Sequence, residues 1–120
     1  MNIIFGREYV SRLDARYTVL ELDTFNIQGQ EVTAFCVVEQ VPILDMPKVD
    51  SMKSLHQNLL ENFRKGDWNY CEQALEHLKG FWNQELDTFY NSIGERIKAK
   101  GSSELTENWW IIEKDADQVT

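Results

Sequence analysis

The sequence has 120 residues, 42% of them hydrophobic and 27% charged, which is typical of one compact globular domain. Its formal net charge of -8 argues against nucleic acid and anionic membrane surfaces as partners, because both attract clustered Lys and Arg. No apolar run approaches the roughly 20 residues of a membrane span and no signal peptide is evident, so we expect a single cytoplasmic domain over residues 1–120.

Residues 1–48 are predicted to be mainly β, with a short helix near the N-terminus. The run Ile3–Phe5 is apolar and fits a short strand, and Arg7–Leu13 has apolar residues spaced for about two helical turns. Two alternating runs follow at residues 16–25 and 31–39, and Gly29 between them supplies the positive φ of a hairpin turn. A connector containing Pro42 and Pro47 is predicted after this hairpin.

Residues 49–100 are predicted to form a helical hairpin and a third helix. Apolar residues recur every three or four positions from Ser51, with Asp50 or Ser51 as N-cap. Gly66 is expected to end the first helix, and Asp67 is placed to cap the second. A third apolar stripe predicts another helix that ends near Lys100.

The C-terminal part is predicted to return to the sheet. Residues 105–114 contain the β-forming run Trp109–Ile112, and residues 115–120 form a frayed polar tail. The fold predicted is therefore α+β. It has a small antiparallel sheet of about three strands, including a C-terminal Trp-rich strand, packed against a two- or three-helix C-terminal half.

The segment 55–78 resembles a single tetratricopeptide-like helical hairpin. The likeness rests on Gly66 and Asp67 at the turn, Trp68 after it, and the small residues Cys71 and Ala74. No second copy is visible at a period of about 34 residues, and such solenoids need several stacked repeats. A peptide-binding groove therefore does not carry over from this resemblance.

A second resemblance covers the segment 80–97, which contains ELDTFY followed by an ERI ending. This stretch is similar to small uncharacterised proteins of tailed phages of marine cyanobacteria. The resemblance implies a phage-encoded protein of the host cytoplasm and supplies no activity.

No recognisable catalytic, cofactor or metal motif occurs in the sequence. Phosphate loops, nucleophile elbows and HExxH are absent. Cys36 and Cys71 are interpreted as small buried residues. The spacing of His56 and His77 offers no local pair of metal ligands, so both are interpreted as surface histidines. We therefore assign no catalytic residue, no metal site and no cofactor.

Carboxylate pairs occur at Glu21/Asp23 and Glu85/Asp87. General acid-base chemistry would need two such groups in a cleft with separated pKa values, which spacing alone does not provide. With 20 acidic residues in the chain, chance pairs are expected, and both pairs are interpreted as solvated positions.

Four Trp, four Tyr and six Phe are many for one small core, which favours an aromatic interface. The candidate interface residues are Trp82, Trp109 and Trp110. The function predicted is a non-catalytic interaction or adaptor module whose partner is another protein or a second copy. The alternative is a small enzyme or ligand-binding domain with a pocket between sheet and helices, lined by Tyr17, Glu21 and His56.

Overall fold

The computed structural model describes residues 2–10, 17–38, 46–82, 84 and 86–114. It confirms an α+β fold, with strands and helices concentrated in different parts of the chain. Internal contacts divide the chain into two compact units. These are the sheet unit, Met1–Glu39 with Glu107–Thr120, and the helical unit, Gln40–Thr106. The predicted helix end at Leu13, the connector around Pro42 and the tail at 115–120 lie outside the described residues.

Among its described residues, the sheet unit contains one helix and four strands. In chain order these are β1 (Asn2–Phe5), α1 (Arg7–Val10), β2 (Thr18–Ile27), β3 (Gln30–Val38) and β4 (Ile112–Lys114). The strand order is β1-β3-β2-β4, and both β1 and β2 pair antiparallel with β3. The predicted hairpin is confirmed, and Gly29 at its turn has a φ of 86°.

The sheet is mixed, whereas the sequence predicted an antiparallel one. β4 runs parallel to β2, with Phe25 opposite Ile112. Parallel neighbours need a long connection, and here β3 and the whole helical unit lie between β2 and β4 in the chain. β4 is also shorter than the predicted strand: Asn108 has a φ of 58° and accepts a hydrogen bond from the Ile111 amide, so Trp109 and Trp110 lie in a turn.

A β-bulge interrupts the alternation that was predicted for β2. Glu21 is opposite Phe35, and Thr24 is opposite Thr33. The chain therefore advances by three residues in β2 and by only two in β3 between these pairs, which defines the bulge. Glu21 and Thr24 therefore share one face. Glu21 is only 8% exposed, so its interpretation as a solvated position was wrong, whereas Asp23 is half-buried.

The helical unit contains α2 (Met46–Lys65), α3 (Trp68–Leu78) and α4 (Asp87–Lys100). α2 begins five residues before Ser51 because Pro47 occupies its first turn, where a missing backbone N–H costs nothing. Among the described residues, no helix is both long and apolar enough to cross a membrane.

The turn between α2 and α3 confirms the predicted roles of Gly66 and Asp67. Gly66 has a φ of 84°, its amide donates to the Phe63 carbonyl, and the Asp67 amide donates to the Asn62 carbonyl. This pair of bonds is a Schellman motif. The Asp67 carboxylate then accepts from the Tyr70 amide at 3.2 Å, so one residue closes α2 and caps α3.

Candidate functional site

The edge strand β1 is the first candidate site, because half of its backbone polar groups point away from the sheet. Phe5 is opposite Ala34, and the next residue, Gly6, donates its amide to the Thr33 carbonyl at 2.9 Å. Hydrogen-bonded and non-hydrogen-bonded pairs alternate along antiparallel strands. Ile4 therefore bonds to β3, while the N–H and C=O groups of Ile3 and Phe5 point outward from the described sheet.

The outward-facing residues of β1 also carry exposed apolar side chains. Ile3 is 46% exposed and Phe5 is 38% exposed. The Phe5 ring contacts the Phe25 ring on the same sheet face, with ring centroids 6.3 Å apart. Tyr9, 63% exposed, packs its ring against Gly6 immediately after the strand. We call Ile3 and Phe5 the β1-edge patch.

The opposite face of β1 is anchored in an apolar cluster. Ile4 packs against the cluster of Val10, Val19, Phe35 and Val37, which ties β1 and α1 to the two central strands. The exposed patch thus lies on a supported strand, and this rigidity lowers the entropy lost when a partner binds.

Arg7 strengthens the same corner of the sheet unit. Its guanidinium donates a 2.7 Å hydrogen bond to the Glu21 carboxylate and lies 5.3 Å from the centre of the Phe35 ring. Arg7 begins α1 directly after Gly6, whose φ of 103° turns the chain. The direction of the chain leaving β1 is therefore set by a charge pair and a cation–π contact.

A polar row continues along the Glu21 face toward β4. The Thr24 and Thr33 hydroxyls lie 2.9 Å apart, and the Asn26 amide donates to the Glu113 carboxylate at 3.2 Å. The Asn26 Oδ1 atom is buried, with no hydrogen-bond partner among the described residues. No group of three or more His, Cys, Asp or Glu in the described part of the chain is arranged to hold a metal ion.

The three residues of the predicted ligand pocket do not all belong to the same unit. Tyr17, 43% exposed, and the buried Glu21 belong to the sheet unit, and His56 belongs to the helical unit. His56 was predicted on the surface, which was wrong, because it is 1% exposed. Its Nδ1 lies 2.9 Å from the Tyr90 hydroxyl, and its ring contacts Phe89. His56 is thus part of a hydrogen-bonded apolar interior, whereas His77 is exposed.

The predicted interface tryptophans have different environments. Trp82 is 3% exposed and its ring meets the Phe81 ring edge-on at 4.7 Å, so a partner would contact little of its indole. Trp109 and Trp110 are both half-buried in the turn before β4. A role of Trp109 and Trp110 in an interface stays a prediction. The β1-edge patch was not predicted from the sequence, although the absence of charge and proline in Asn2–Phe5 is typical of an unprotected edge.

Both cysteines have fully buried side chains. The Cys71 Sγ lies 3.8 Å from the Leu59 carbonyl oxygen. Burial, with smaller contributions from the negative charges of Asp67 and Glu72, raises the pKa of the Cys71 thiol to about 12. Since the thiolate is the nucleophile and metal ligand, Cys71 is chemically inert in the folded chain at neutral pH.

A groove of about 500 Å³ lies between α3 and α4 in the helical unit. Leu75, Gly94 and Ile97 contribute its apolar surface. Its charged lining has both signs, namely Glu72, Glu76, Lys79, Glu95 and Lys98. Mixed charge on an open groove selects no particular ligand chemistry, so the β1 edge remains the stronger candidate.

Comparisons with family models, with curated proteins and with solved structures found no match to the chain.

Proposed function

We propose that this chain is a non-catalytic interaction module that binds another polypeptide by adding an extended segment to β1, an edge strand of the described sheet. One observation carries the proposal. The large apolar side chains that are exposed in the described chain are Ile3, Phe5, Tyr9 and Tyr17, and all four belong to the sheet unit. Two of them are the residues of β1 whose backbone groups point outward.

Strand addition uses both properties of this edge. Main-chain hydrogen bonds to Ile3 and Phe5 provide affinity that does not depend on the sequence of the partner. The side chains of Ile3 and Phe5 then select apolar residues at alternate positions of the added strand. The module needs no conformational change to bind, since Ile4 and Arg7 already hold the corner in place.

The acidic net charge of the chain favours some protein partners over others. A net charge of -8 slows the approach of acidic partners and favours those with basic residues around the added strand. We also propose a phage origin and action in the cytoplasm of the infected host, in line with the resemblance noted for the sequence of residues 80–97.

The test compares three versions of the tagged protein in capture experiments from the native host. Ile3→Pro removes an outward N–H without deleting a bond to β3, because proline is tolerated on an edge strand when its nitrogen faces solvent. Ile3→Val keeps the N–H and a β-branched side chain. We expect some host proteins to be retained by the wild type and by Ile3→Val but not by Ile3→Pro.

Hydrogen exchange on the same samples gives a direct readout. The amides of Ile3 and Phe5 should exchange freely in the unbound protein and become protected in the complex, whereas the Ile4 amide is protected in both. If wild type, Ile3→Val and Ile3→Pro retain the same partners, with no change in exchange at β1, another surface binds and the proposal fails.

A further inference from the structure

We infer that one partner of the β1 edge is the β1 edge of a second copy, so that two sheet units join into one continuous eight-stranded sheet. This inference rests on the proposed function and names the partner for the same surface. Closed two-fold symmetry is the commonest arrangement of identical subunits, and it requires a surface that is complementary to itself. The β1 edge meets this requirement in its backbone, its side chains and its lack of charge.

The backbone groups of β1 match those of a second β1 related by a two-fold axis at Ile4. In this antiparallel register Ile3 of one copy is opposite Phe5 of the other, and Ile4 is opposite Ile4. Ile3 and Phe5 are the residues whose N–H and C=O groups point outward. Each Ile3–Phe5 pair exchanges two hydrogen bonds, so the two pairs satisfy all eight outward groups with four bonds.

The side chains are complementary in the same register. Ile3 and Phe5 lie on one face of β1, because residues two apart in a strand share a face. Pairing therefore sets an isoleucine beside a phenylalanine twice, and pairs of aromatic and β-branched residues stabilise adjacent strands. Phe25, whose ring contacts Phe5, extends this apolar surface into each copy. Both exposed side chains are thus covered by the same contact.

The two edges of the sheet differ in how they discourage pairing. Natural edge strands carry charges or proline that oppose contact with another chain. β4, at one edge, contains Glu113 and Lys114 within its three residues. β1, at the other edge, contains only Asn2, Ile3, Ile4 and Phe5. The contrast indicates that β1 is the edge on which contact with a second copy is tolerated.

The size of the contact sets its strength. Two four-residue strands with the Ile3 and Phe5 side chains bury less than the roughly 1,200 Å² at which standard interfaces begin. Each copy also carries a net charge of -8, which opposes association at low ionic strength. A weak dimer is expected, with Kd on the order of 10 μM, and tighter as salt screens the repulsion.

Sedimentation velocity over a range of protein concentration tests the dimer. Wild type and Ile3→Val should show a concentration-dependent dimer that strengthens between low and moderate salt. Ile3→Pro should weaken it at least tenfold, while its circular dichroism spectrum and thermal midpoint show that it remains folded. A wild-type chain that stays monomeric well above 100 μM, about ten times the expected Kd, overturns the inference.

Disulfide trapping tests the register independently. Facing residues of a non-hydrogen-bonded antiparallel pair have Cα atoms about 4.5 Å apart, so Ile4→Cys should form an intermolecular disulfide. Phe5→Cys is the matched control, because the offset places its two copies about 8 Å apart, beyond bridging distance. Cys36 and Cys71 are buried and do not compete. Ile4→Cys should cross-link at least tenfold faster than Phe5→Cys, and equal rates overturn the register.

The outcomes separate this inference from the proposed function. A dimer that survives Ile3→Pro but is lost with Trp110→Ala places the interface at the tryptophan turn and contradicts the inference. A monomeric chain whose capture of a host protein still depends on the Ile3 amide overturns the homodimer and leaves the interaction module standing. If neither self-association nor capture responds to Ile3→Pro, both fail.

Discussion

Arg7 donates a 2.7 Å hydrogen bond to Glu21 although the Arg7 side chain is 72% exposed and the Glu21 side chain only 7%. The contact joins the first residue of α1 to β2 just before its bulge. A charge that is buried on the sheet is thus balanced by one that remains largely in water. Solvent screens the Arg7 charge but not the buried Glu21 charge. We therefore expect the pair to contribute more to the free energy of unfolding than a surface ion pair does, and less than a fully buried one.

Replacing Arg7 should therefore destabilise the sheet unit. Arg7→Met keeps the apolar stem and removes the charge, which leaves Glu21 with less compensation for its burial. We expect the free energy of unfolding to fall by about 1–2 kcal/mol, below the 3–5 kcal/mol of fully buried pairs, because solvent screens the exposed partner. Urea denaturation measures this change. Lys79→Met, at an exposed position of the helical unit, is the control, and an equal loss there would contradict the assigned role of Arg7.

In the helical unit, the bond between His56 and Tyr90 should contribute measurably to stability. Both side chains are fully buried, and the 2.9 Å bond joins α2 to α4. Tyr90→Phe removes one hydroxyl with little change in volume, and we expect a loss of about 1–2 kcal/mol from urea unfolding. A double-mutant cycle with His56→Leu should show coupling of about 1 kcal/mol. Tyr70→Phe, at a half-buried site on α3, should change stability by less than about 0.5 kcal/mol.

The double role of Asp67 predicts different effects for two substitutions. Asp67→Ala loses the bond to the Tyr70 amide and should cost about 1 kcal/mol, whereas Asp67→Asn keeps an acceptor and should cost little. The Schellman bonds of Gly66 and Asp67 use backbone atoms, so neither change removes them. Thermal unfolding with both variants checks the difference. Equal losses for Ala and Asn would indicate that charge rather than capping matters at this position.

The sequence predicted best where local chemistry determines structure. Gly66, Asp67 and Gly29 each act within a few residues, through a positive φ or a cap, and all three occupy the predicted turns. The three main helices were predicted for the same reason, since a repeating apolar stripe is a local pattern. The extra turn at Pro47 was missed, because proline at a helix start and proline in a connector look alike in sequence.

The features that were missed depend on residues far apart in the chain. His56 is buried because Tyr90, 34 positions away, offers it a hydrogen bond. Glu21 is buried through a bulge and through Arg7, and neither is encoded by the alternation of β2. The candidate site at β1 depends on strand order, since the exposed residues Ile3 and Phe5 lie on a strand that the topology places at an edge. A sequence pattern predicts which face of a helix or strand is buried, whereas the topology decides which helices and strands lie next to each other.

The Cys71 thiol predicts how stability changes in alkaline solution. Burial above all, then the charges of Asp67 and Glu72, raise its pKa from 9.0 to about 12 in the folded chain. Above pH 9 the unfolded chain therefore loses this proton while the folded chain keeps it. Since stability falls with pH wherever the folded state binds more protons, folding loses about 1.4 kcal/mol per pH unit through this thiol between pH 9 and 12.

The measurement compares urea unfolding of the wild type and Cys71→Ala from pH 8 to about 10.5, so that the contributions of other titrating groups cancel in the difference. Below pH 9 the two curves should run parallel, separated by the cost of the substitution. Above pH 9 the wild type should lose stability faster, and the gap between the two proteins should narrow by about 1–2 kcal/mol. A constant gap across the range would mean that the thiol ionises equally in both states, which its full burial does not allow.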